Sequence, residues 1–244
     1  MIKINQLNLK IENKILIKNL SLQLNKGEFW AIIARNGIGK TTLLKTIAGF
    51  TPSEPSLVKI KGRNITEYSV LERAQKISYL EQLQEEGLDC TVKQAVSYGR
   101  YPWHKFKLDN SDETKLIEKA LMDMDLQDLQ NKNLKKLSGG ELRKVDIATI
   151  LSQNSEIMIL DEPLNHLDVA FRYHLMKLLK NLSQKKLIIM VTHDIQYVKE
   201  YCSHVLMISN KGKGISGKVS EIMTAENVKN ILEIEPVGEI FKSL

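Results

Sequence analysis

The chain has 244 residues, of which 43% are hydrophobic and 26% are charged, and this composition suits one soluble domain of ordinary size. No apolar run approaches the roughly 18 residues of a membrane helix, and the first residues lack the apolar stretch of a signal peptide. The net charge of +6 comes from scattered lysines, which favours a solvated basic surface over nucleic-acid binding, and the two cysteines form no metal-ligand pattern. We therefore expect a cytoplasmic protein that does not cross a membrane by itself.

The N-terminal part of the chain has the pattern of β structure. Apolar and polar residues alternate in two segments, which predicts half-buried strands around Leu7, Leu9 and Ile11 and around Leu20, Leu22 and Leu24. The continuous apolar run Phe29–Ile33 predicts a buried strand, and Thr41–Ala48 predicts a helix that Gly49 ends. Leu57–Gly62 predicts a further strand.

A glycine-rich turn joins the predicted buried strand to the predicted helix. Glycines let the backbone wrap closely, so that successive N–H groups and the helix N-terminus face phosphate oxygens. Lys40 is expected to pair with the β- and γ-phosphates of a nucleotide, and the Thr41 hydroxyl to bind Mg²⁺. Ala34 stands where the GxxxxGK[ST] pattern has its first glycine, so a glycine-containing turn without a ligand is the alternative. The predicted nucleotide-binding residues are Asn36, Gly37, Ile38, Gly39, Lys40, Thr41 and Thr42.

The middle of the chain, from about Thr91 to Gln153, carries helical patterns and few strand signals, which predicts a helical insertion. Strands and helices then alternate: Ile157–Leu160 and Leu187–Val191 are predicted strands, and Val169–Leu182 is a predicted helix. This alternation favours an α/β fold with a parallel sheet covered on both faces. The tail past Ser220 is predicted to be helical and peripheral.

Two carboxylates follow the predicted strand Ile157–Leu160. Ligands of open parallel sheets bind at the carboxyl ends of the strands. We therefore expect Asp161 to hold Mg²⁺ through a water and Glu162 to act as general base for an attacking water. The alternative is an acidic pair that faces solvent at the end of a strand.

A second glycine turn, Leu137–Glu141, precedes a predicted amphipathic helix whose apolar face carries Leu142, Val145, Ala148 and Leu151. Ser138 and Glu141 have the spacing of a helix capping box, which explains these two residues structurally. It does not explain two consecutive glycines, which destabilise a helix unless something must approach the backbone closely. The turn is therefore a second candidate phosphate-binding surface.

Together these motifs resemble the ATP-binding-cassette (ABC) ATPases, and the resemblance covers roughly residues 1 to 220. The pentapeptide Leu137–Glu141 is highly specific for that family. The implied fold is α/β, a P-loop NTPase (RecA-like) core with an N-terminal antiparallel β subdomain and an inserted helical subdomain. The implied organisation is a single ABC ATPase domain over residues 1–244, with the β subdomain and core at 1–82 and 154–244 and the helical subdomain at 83–153.

The resemblance also implies how the motifs work together. In a head-to-tail homodimer with two ATP sites, Ser138, Gly139 and Gly140 of one subunit close over the nucleotide that the partner's Lys40 loop holds. Gln82 lies where the family has the glutamine that binds Mg²⁺ and meets the membrane partner. His193 matches the histidine that contacts the γ-phosphate and the catalytic glutamate, and Asp168 matches a carboxylate at the dimer interface.

The segment Tyr98–Trp103 resembles one in importers of iron–siderophore complexes, haem and cobalamin; a turn whose aromatic residues pack on the helical insertion is the alternative. The implied function is the ATP-hydrolysing subunit of an importer for a chelated metal, with ATP and Mg²⁺ as cofactors. Its implied partners are transmembrane permease subunits and an extracytoplasmic substrate-binding protein, on the inner face of the cell membrane. A non-transport ATPase for cofactor assembly and a weakly catalytic ATP-dependent dimerisation module stay open as alternatives.

Besides Ala34, several positions depart from the family pattern. Arg35 replaces a common proline, Leu164 replaces a common Ser or Thr, and Thr149 replaces a common arginine. Ile11 lies near a position where the family often has an aromatic residue that stacks on adenine. The set with predicted catalytic and metal roles is complete, so we expect an active but slow ATPase; it comprises Lys40, Thr41, Gln82, Asp161, Glu162 and His193.

Overall fold

The computed structural model describes residues 1–11, 14–51, 57–82, 88–106 and 110–233. The strands are β1 (Ile2–Ile11), β2 (Lys14–Leu24), β3 (Phe29–Ala34), β4 (Val58–Ile60), β5 (Arg63–Asn64), β6 (Ile77–Leu80), β7 (Ile157–Asp161), β8 (Leu187–Val191), β9 (His204–Ile208) and β10 (Gly214–Lys218). The α-helices are α1 (Lys40–Ile47), α2 (Val70–Lys76), α3 (Val92–Tyr98), α4 (Asn110–Asp123), α5 (Gly139–Gln153), α6 (Val169–Ser183), α7 (Ile195–Tyr201), α8 (Val219–Ile222) and α9 (Ala225–Leu232).

The N-terminal strands form an antiparallel sheet in the order β2-β1-β4-β5. β1 and β2 pair along their length, and the register shifts between Ile4 and Lys10. Alternate residues of both strands are buried against α1 and one face of β3, as the alternating sequence pattern predicts. The predicted antiparallel β subdomain is therefore confirmed.

The second sheet has the order β10-β9-β3-β8-β7-β6, and its strands are parallel except for β10 at one edge. Every residue of β3, β7 and β8 is buried, because helices or the antiparallel sheet cover both faces. Phe29, Ala31 and Ile33 enter one hydrophobic core and Trp30, Ile32 and Ala34 the other. The parallel pairing brings the carboxyl ends of β3, β8, β7 and β6 to one edge, which confirms the predicted α/β core.

α5 packs against α3, α4 and β6, and the predicted apolar face lies against the hydrophobic core. Val145 and Ala148 are buried as predicted, whereas Leu142 and Leu151 are only partly buried. The helix is enclosed on several sides, so it also buries the polar residues Arg143 and Ser152. The described part of this region, 88–106 and 110–153, is helical; the subdomain boundaries stay a prediction because residues 83–87 lie outside the described ones.

The C-terminal helices correct one prediction. α8 and α9 are helical as expected, but α9 is not peripheral: Val228 and Leu232 are 0% and 2% exposed, and the helix packs against β9. Two apolar residues at i and i+4 suffice to dock a short helix on the sheet. Just after α9, Glu233 accepts a hydrogen bond from Arg35 Nη1 at 2.6 Å, so the unusual Arg35 ties this end of the chain to the glycine-rich turn.

Searched over the described ranges, the chain has no helix that combines the length and the apolar content needed to span a bilayer.

Candidate functional site

The glycine-rich turn between β3 and α1 has the backbone of a phosphate-binding loop. Gly37 and Gly39 have φ angles of 80° and 89°, in the left-handed region that favours glycine. A Cβ atom on Gly39 would lie 2.7 Å from Leu16 Cδ1, so a larger residue would also have to displace the end of that side chain. Ala34 is buried at the end of β3, and its φ angle is not positive. Alanine therefore fits the position of the missing first glycine without backbone strain.

Lys40 lies buried over this loop. Its Nζ donates to Ala34 O at 3.0 Å and Arg35 O at 3.2 Å, and it lies 3.5 Å from Asn36 Oδ1. Burial lowers the pKa of Lys40, while the charges of Glu162 and Asp161 oppose that shift. A γ-phosphate would supply the anion that this desolvated ammonium lacks.

The candidate metal site joins α1 to the end of β7. Thr41 Oγ1 donates to Asp161 Oδ2 at 2.6 Å, across a sequence separation of 120 residues. Burial raises the pKa of Asp161, and the hydrogen bond from Thr41 opposes the shift. Gln82 is exposed just beyond β6, the strand that pairs with β7. A hydroxyl, a carboxylate and a carboxamide are hard oxygen donors, so this set fits Mg²⁺.

Glu162 is held by contacts on both its backbone and its side chain. Its φ angle is 47°, a left-handed conformation that costs a non-glycine residue roughly 1–2 kcal/mol. Its N–H donates to Val191 O at 3.1 Å, and its carbonyl accepts from Arg143 Nη2 at 2.8 Å. Its carboxylate accepts from Asn165 Nδ2 at 2.8 Å and lies 2.9 Å from His193 Nε2. These contacts fix the carboxylate at the edge of the sheet that also carries Asp161.

The second glycine turn begins α5 and confirms the capping box. Glu141 N donates to Ser138 Oγ at 3.3 Å, and Ser138 N donates to Glu141 Oε2 at 2.7 Å. A Cβ atom on Gly140 would lie 2.9 Å from His166 O, so packing explains that glycine. A Cβ atom on Gly139 would meet no atom of the described residues within 4 Å. Packing among the residues that the structure describes therefore does not require glycine at position 139.

α2 shows that a capping box does not require this glycine. Ser69 and Glu72 form the same reciprocal pair at the start of α2. Val70, in the first turn of α2, occupies the position that Gly139 occupies in α5, and it is 75% exposed. The capping box therefore does not by itself explain a glycine at position 139.

Asp168 lies at the start of α6, where it is exposed and its Oδ1 accepts from Phe171 N at 2.8 Å. This N-cap is a structural role that the sequence analysis did not assign to it. Asn165 and Arg143 contact Glu162, a role that no local sequence pattern indicates. Arg143 and Lys144 are adjacent and carry the same charge. Spacing alone therefore does not show that Arg143 is the one that contacts Glu162.

The segment Tyr98–Trp103 combines structural and exposed residues. A Cβ atom on Gly99 would lie 2.1 Å from Thr149 O, so α5 requires this glycine. Arg100 is 3% exposed and its Nη1 donates to Ser152 O at 2.9 Å, while Trp103 Nε1 donates to Gln153 O. Tyr98 and Tyr101 are 53% and 75% exposed. The packing alternative therefore accounts for Gly99 and Arg100, whereas the two tyrosine side chains are largely exposed.

Asp146, one turn beyond Arg143 in α5, is half-buried, and its Oδ2 atom is shielded from solvent. Among the described residues its Oδ2 has no hydrogen-bond partner, and burial raises its pKa to about 7, opposed by the charge of Arg143. The unfolded chain loses this proton near pH 4 and the folded chain near pH 7, so the unfolded state binds fewer protons in between. The free energy of unfolding therefore falls as the pH rises through this window.

Asp146→Asn removes this penalty. From pH 5 to pH 8 we expect the stability of the variant to rise relative to the wild type by roughly 2–3 kcal/mol, measured by urea unfolding. The exposed Asp112→Asn on α4 is the control and should show a constant difference. A difference that does not grow with pH for Asp146→Asn would mean that the group ionises as an ordinary carboxyl.

Comparison with known proteins gives one consistent family. The sequence pattern of the ABC transporter family matches residues 17–165. The chain is 30% identical over 236 residues to the petrobactin import ATP-binding protein YclP of Bacillus subtilis, covering 96% of this chain and 93% of the relative. It is 33% identical over 230 residues to the ferric enterobactin transport ATP-binding protein FepC of Escherichia coli, covering 93% and 84%. It spans about half, 52%, of another similar protein, YvrA of Bacillus subtilis.

Solved structures agree with the sequence comparison. The chain resembles cbiO1 of Clostridium perfringens, part of the ABC transporter complex cbiONQ, with a TM-score of 0.76, 27% identity and coverage of 94% and 92%. It resembles a metal-chelate type ABC transporter in an inward-facing conformation with a TM-score of 0.78 at 24% identity, covering 94% of this chain and 88% of that one. At 24% identity, the match to the second structure shows a similar fold only.

Proposed function

Because the chain belongs to the ABC transporter family, we propose that it is the ATP-hydrolysing subunit of an importer for iron chelated by a siderophore or a related metal chelate. One observation carries the hydrolytic role. The Lys40 loop, the Thr41–Asp161 pair and the Glu162–His193 pair meet at one edge of the parallel sheet. A triphosphate placed there meets a cation, hard oxygen ligands and a carboxylate base.

In this proposal the backbone N–H groups of residues 36–42 and Lys40 bind the β- and γ-phosphates. Thr41, Asp161 and Gln82 would hold Mg²⁺, which when bound neutralises phosphate charge. Glu162 accepts a proton from water as the water oxygen bonds to the γ-phosphorus and the bond from phosphorus to the β–γ bridging oxygen breaks. His193, with its side chain 44% exposed, keeps Glu162 oriented and would contact the γ-phosphate.

The second ATP contact comes from another copy of the chain. Ser138, Gly139 and Asp168 are exposed, and a Cβ atom on Gly139 would meet no atom of the described residues within 4 Å. We propose that these residues and Gly140 close on the nucleotide of the partner, which gives a homodimer with two ATP sites. Free N–H groups at the start of α5 would face the partner's phosphates.

Gly139→Val tests this dimer. The side chain enters open space, so we expect the thermal midpoint to stay within about 3 °C and monomeric ATP binding to be unchanged. Dimer formation with Mg-ATP, measured by light scattering in the Glu162→Gln background, should be lost, and turnover in the otherwise wild-type chain should fall at least about tenfold. Val70→Gly, the reverse exchange in α2, is the matched control. Normal dimerisation of Gly139→Val would contradict the proposed sandwich.

The transport role includes permease subunits and an extracytoplasmic binding protein, with this subunit on the inner face of the cell membrane. This role is supported by two relatives, which are named as ATP-binding proteins of petrobactin import and of ferric enterobactin transport. The exposed Tyr98 and Tyr101 offer amphipathic surface for a membrane partner.

Uptake by intact cells tests this role. Cells whose own copy is replaced by Glu162→Gln should take up catecholate or hydroxamate complexes of labelled iron at a small fraction of the rate of wild-type cells. The wild-type subunit should co-purify with membrane proteins in detergent. Unchanged uptake of every chelate class, together with purification with soluble partners only, would favour the cofactor-assembly alternative.

A further inference from the structure

One buried cation of α5 contacts two segments of the site. Arg143 is 4% exposed, and its Nη1 donates to Glu81 O at 2.7 Å. Its Nη2 donates to Asp161 O at 3.0 Å and to Glu162 O at 2.8 Å. Glu81 directly precedes Gln82, so a single guanidinium joins α5 to the backbone beside Gln82 and at both acidic residues.

The contact with Glu162 falls on a strained residue. Glu162 keeps a left-handed conformation with φ of 47°, and such conformations persist where surrounding contacts determine them. The hydrogen bond from Arg143 fixes the carbonyl of this residue, and the bond to Val191 O fixes its N–H. Charge-assisted bonds to carbonyl groups are about twice as strong as neutral ones. The direction of the Glu162 side chain therefore depends on where α5 places Arg143.

We propose that Arg143 is a positioning residue for ATP hydrolysis, which brings Glu162 into its hydrolytic geometry only when α5 is seated against the ends of β6 and β7. This inference rests on the proposed function. α5 begins with the turn that would meet the partner's nucleotide, so closure of the dimer and the position of the base are linked through one rigid helix. Through its hydrogen bond to Glu81 O, Arg143 also holds the backbone beside Gln82 against α5.

The planar guanidinium suits three acceptors on two segments better than any other side chain. It offers five N–H donors in a fixed fork, whereas lysine has a single flexible ammonium and glutamine one amide NH₂ group. Arg143→Lys therefore keeps the charge and most of the volume but loses the geometry. Arg143→Gln also removes the charge.

The chain contains a matched control. Arg100 is 3% exposed, and its Nη1 donates to the backbone carbonyls of Ser152 and Gln153 at the opposite end of α5. Arg100→Lys removes the same kind of bonds from the same helix, away from Glu162. This variant shows how much kcat and the thermal midpoint change when a buried arginine that does not contact Glu162 is replaced.

The first experiment compares steady-state ATP hydrolysis by the full-length wild type, Arg143→Lys, Arg143→Gln and Arg100→Lys, with the thermal midpoint of each. For Arg143→Lys we expect kcat to fall about 10- to 100-fold with KM within about threefold, because a misplaced base slows chemistry without weakening binding. Arg100→Lys should lower the thermal midpoint similarly and leave kcat within about twofold. Equal kcat losses in the two Lys variants, or a rise in KM alone, would overturn the inference.

The second experiment combines Arg143→Lys with Glu162→Gln. If Arg143 acts through Glu162, the residual rate of Glu162→Gln should be unchanged by the second substitution. Losses that multiply would assign Arg143 a separate role and overturn the inference. An inactive wild type that still binds ATP would instead contradict the proposed function, so the two failures are distinguishable.

Discussion

Glu162→Gln is expected to lower kcat for ATP by about two to four orders of magnitude and to leave ATP binding intact. Glutamine keeps the size of the side chain, and its amide oxygen can still accept the hydrogen bond from His193 Nε2, now 2.9 Å from Glu162 Oε1. Asn165 can turn its amide to pair with the new NH₂ group, because both are carboxamides. The substitution therefore removes proton acceptance and little else.

Turnover of Mg-ATP and equilibrium binding of a fluorescent ATP analogue measure the two effects separately. The control is Glu156→Gln, an exposed carboxylate that pairs with Lys61 at 2.6 Å and should give normal turnover. Blocked hydrolysis should also trap the closed dimer, so Glu162→Gln should run as a dimer on gel filtration with Mg-ATP. Turnover as low in the wild type as in the variant, with ATP still bound, would favour the weakly catalytic dimerisation module.

The sequence predicted those parts of the site whose residues stand next to one another in the chain. The phosphate loop, the acidic pair after β7 and the capping box of α5 are local patterns, and their backbone follows from local rules. Ala34 shows that the loop is predictable even where one residue departs from the motif. A strict motif would reject the loop, yet the alanine ends a buried strand with an ordinary φ angle, so the substitution changes little.

The missed features all depend on tertiary packing. Position 140 requires glycine because His166 O approaches it, and α9 is buried because β9 happens to offer an apolar surface. Arg143 follows the same rule: only the folded chain brings α5 to the ends of β6 and β7. The spacing of apolar residues predicts which face of a helix is apolar. It does not predict which polar side chain of an enclosed helix is buried and needs hydrogen-bond partners. The side chain of Ile11 lies outside the described part of the chain, so its contact with adenine stays a prediction.

Lys40→Met should abolish ATP binding without unfolding the protein. Methionine fills the space of the apolar stem, and only the hydrogen bonds from the ammonium to the loop carbonyls of Ala34 and Arg35 are lost. Because burial already lowers the pKa of Lys40, removing its charge relieves a desolvation cost, and we expect the thermal midpoint to stay level or to rise.

The loss in affinity for Mg-ATP should be about 100-fold or more, since a charge-assisted contact with phosphate contributes about 1.5–3 kcal/mol and Lys40 would make such a contact with the bound nucleotide. Lys45→Met is the matched control on the same helix: Lys45 pairs with Glu81 at 3.2 Å on the surface, so its loss should change affinity less than about threefold. Titration of a fluorescent ATP analogue separates the two variants. Equal affinities for Lys40→Met and the wild type would mean that the loop cradles no triphosphate, and the hydrolytic proposal would lose its substrate site.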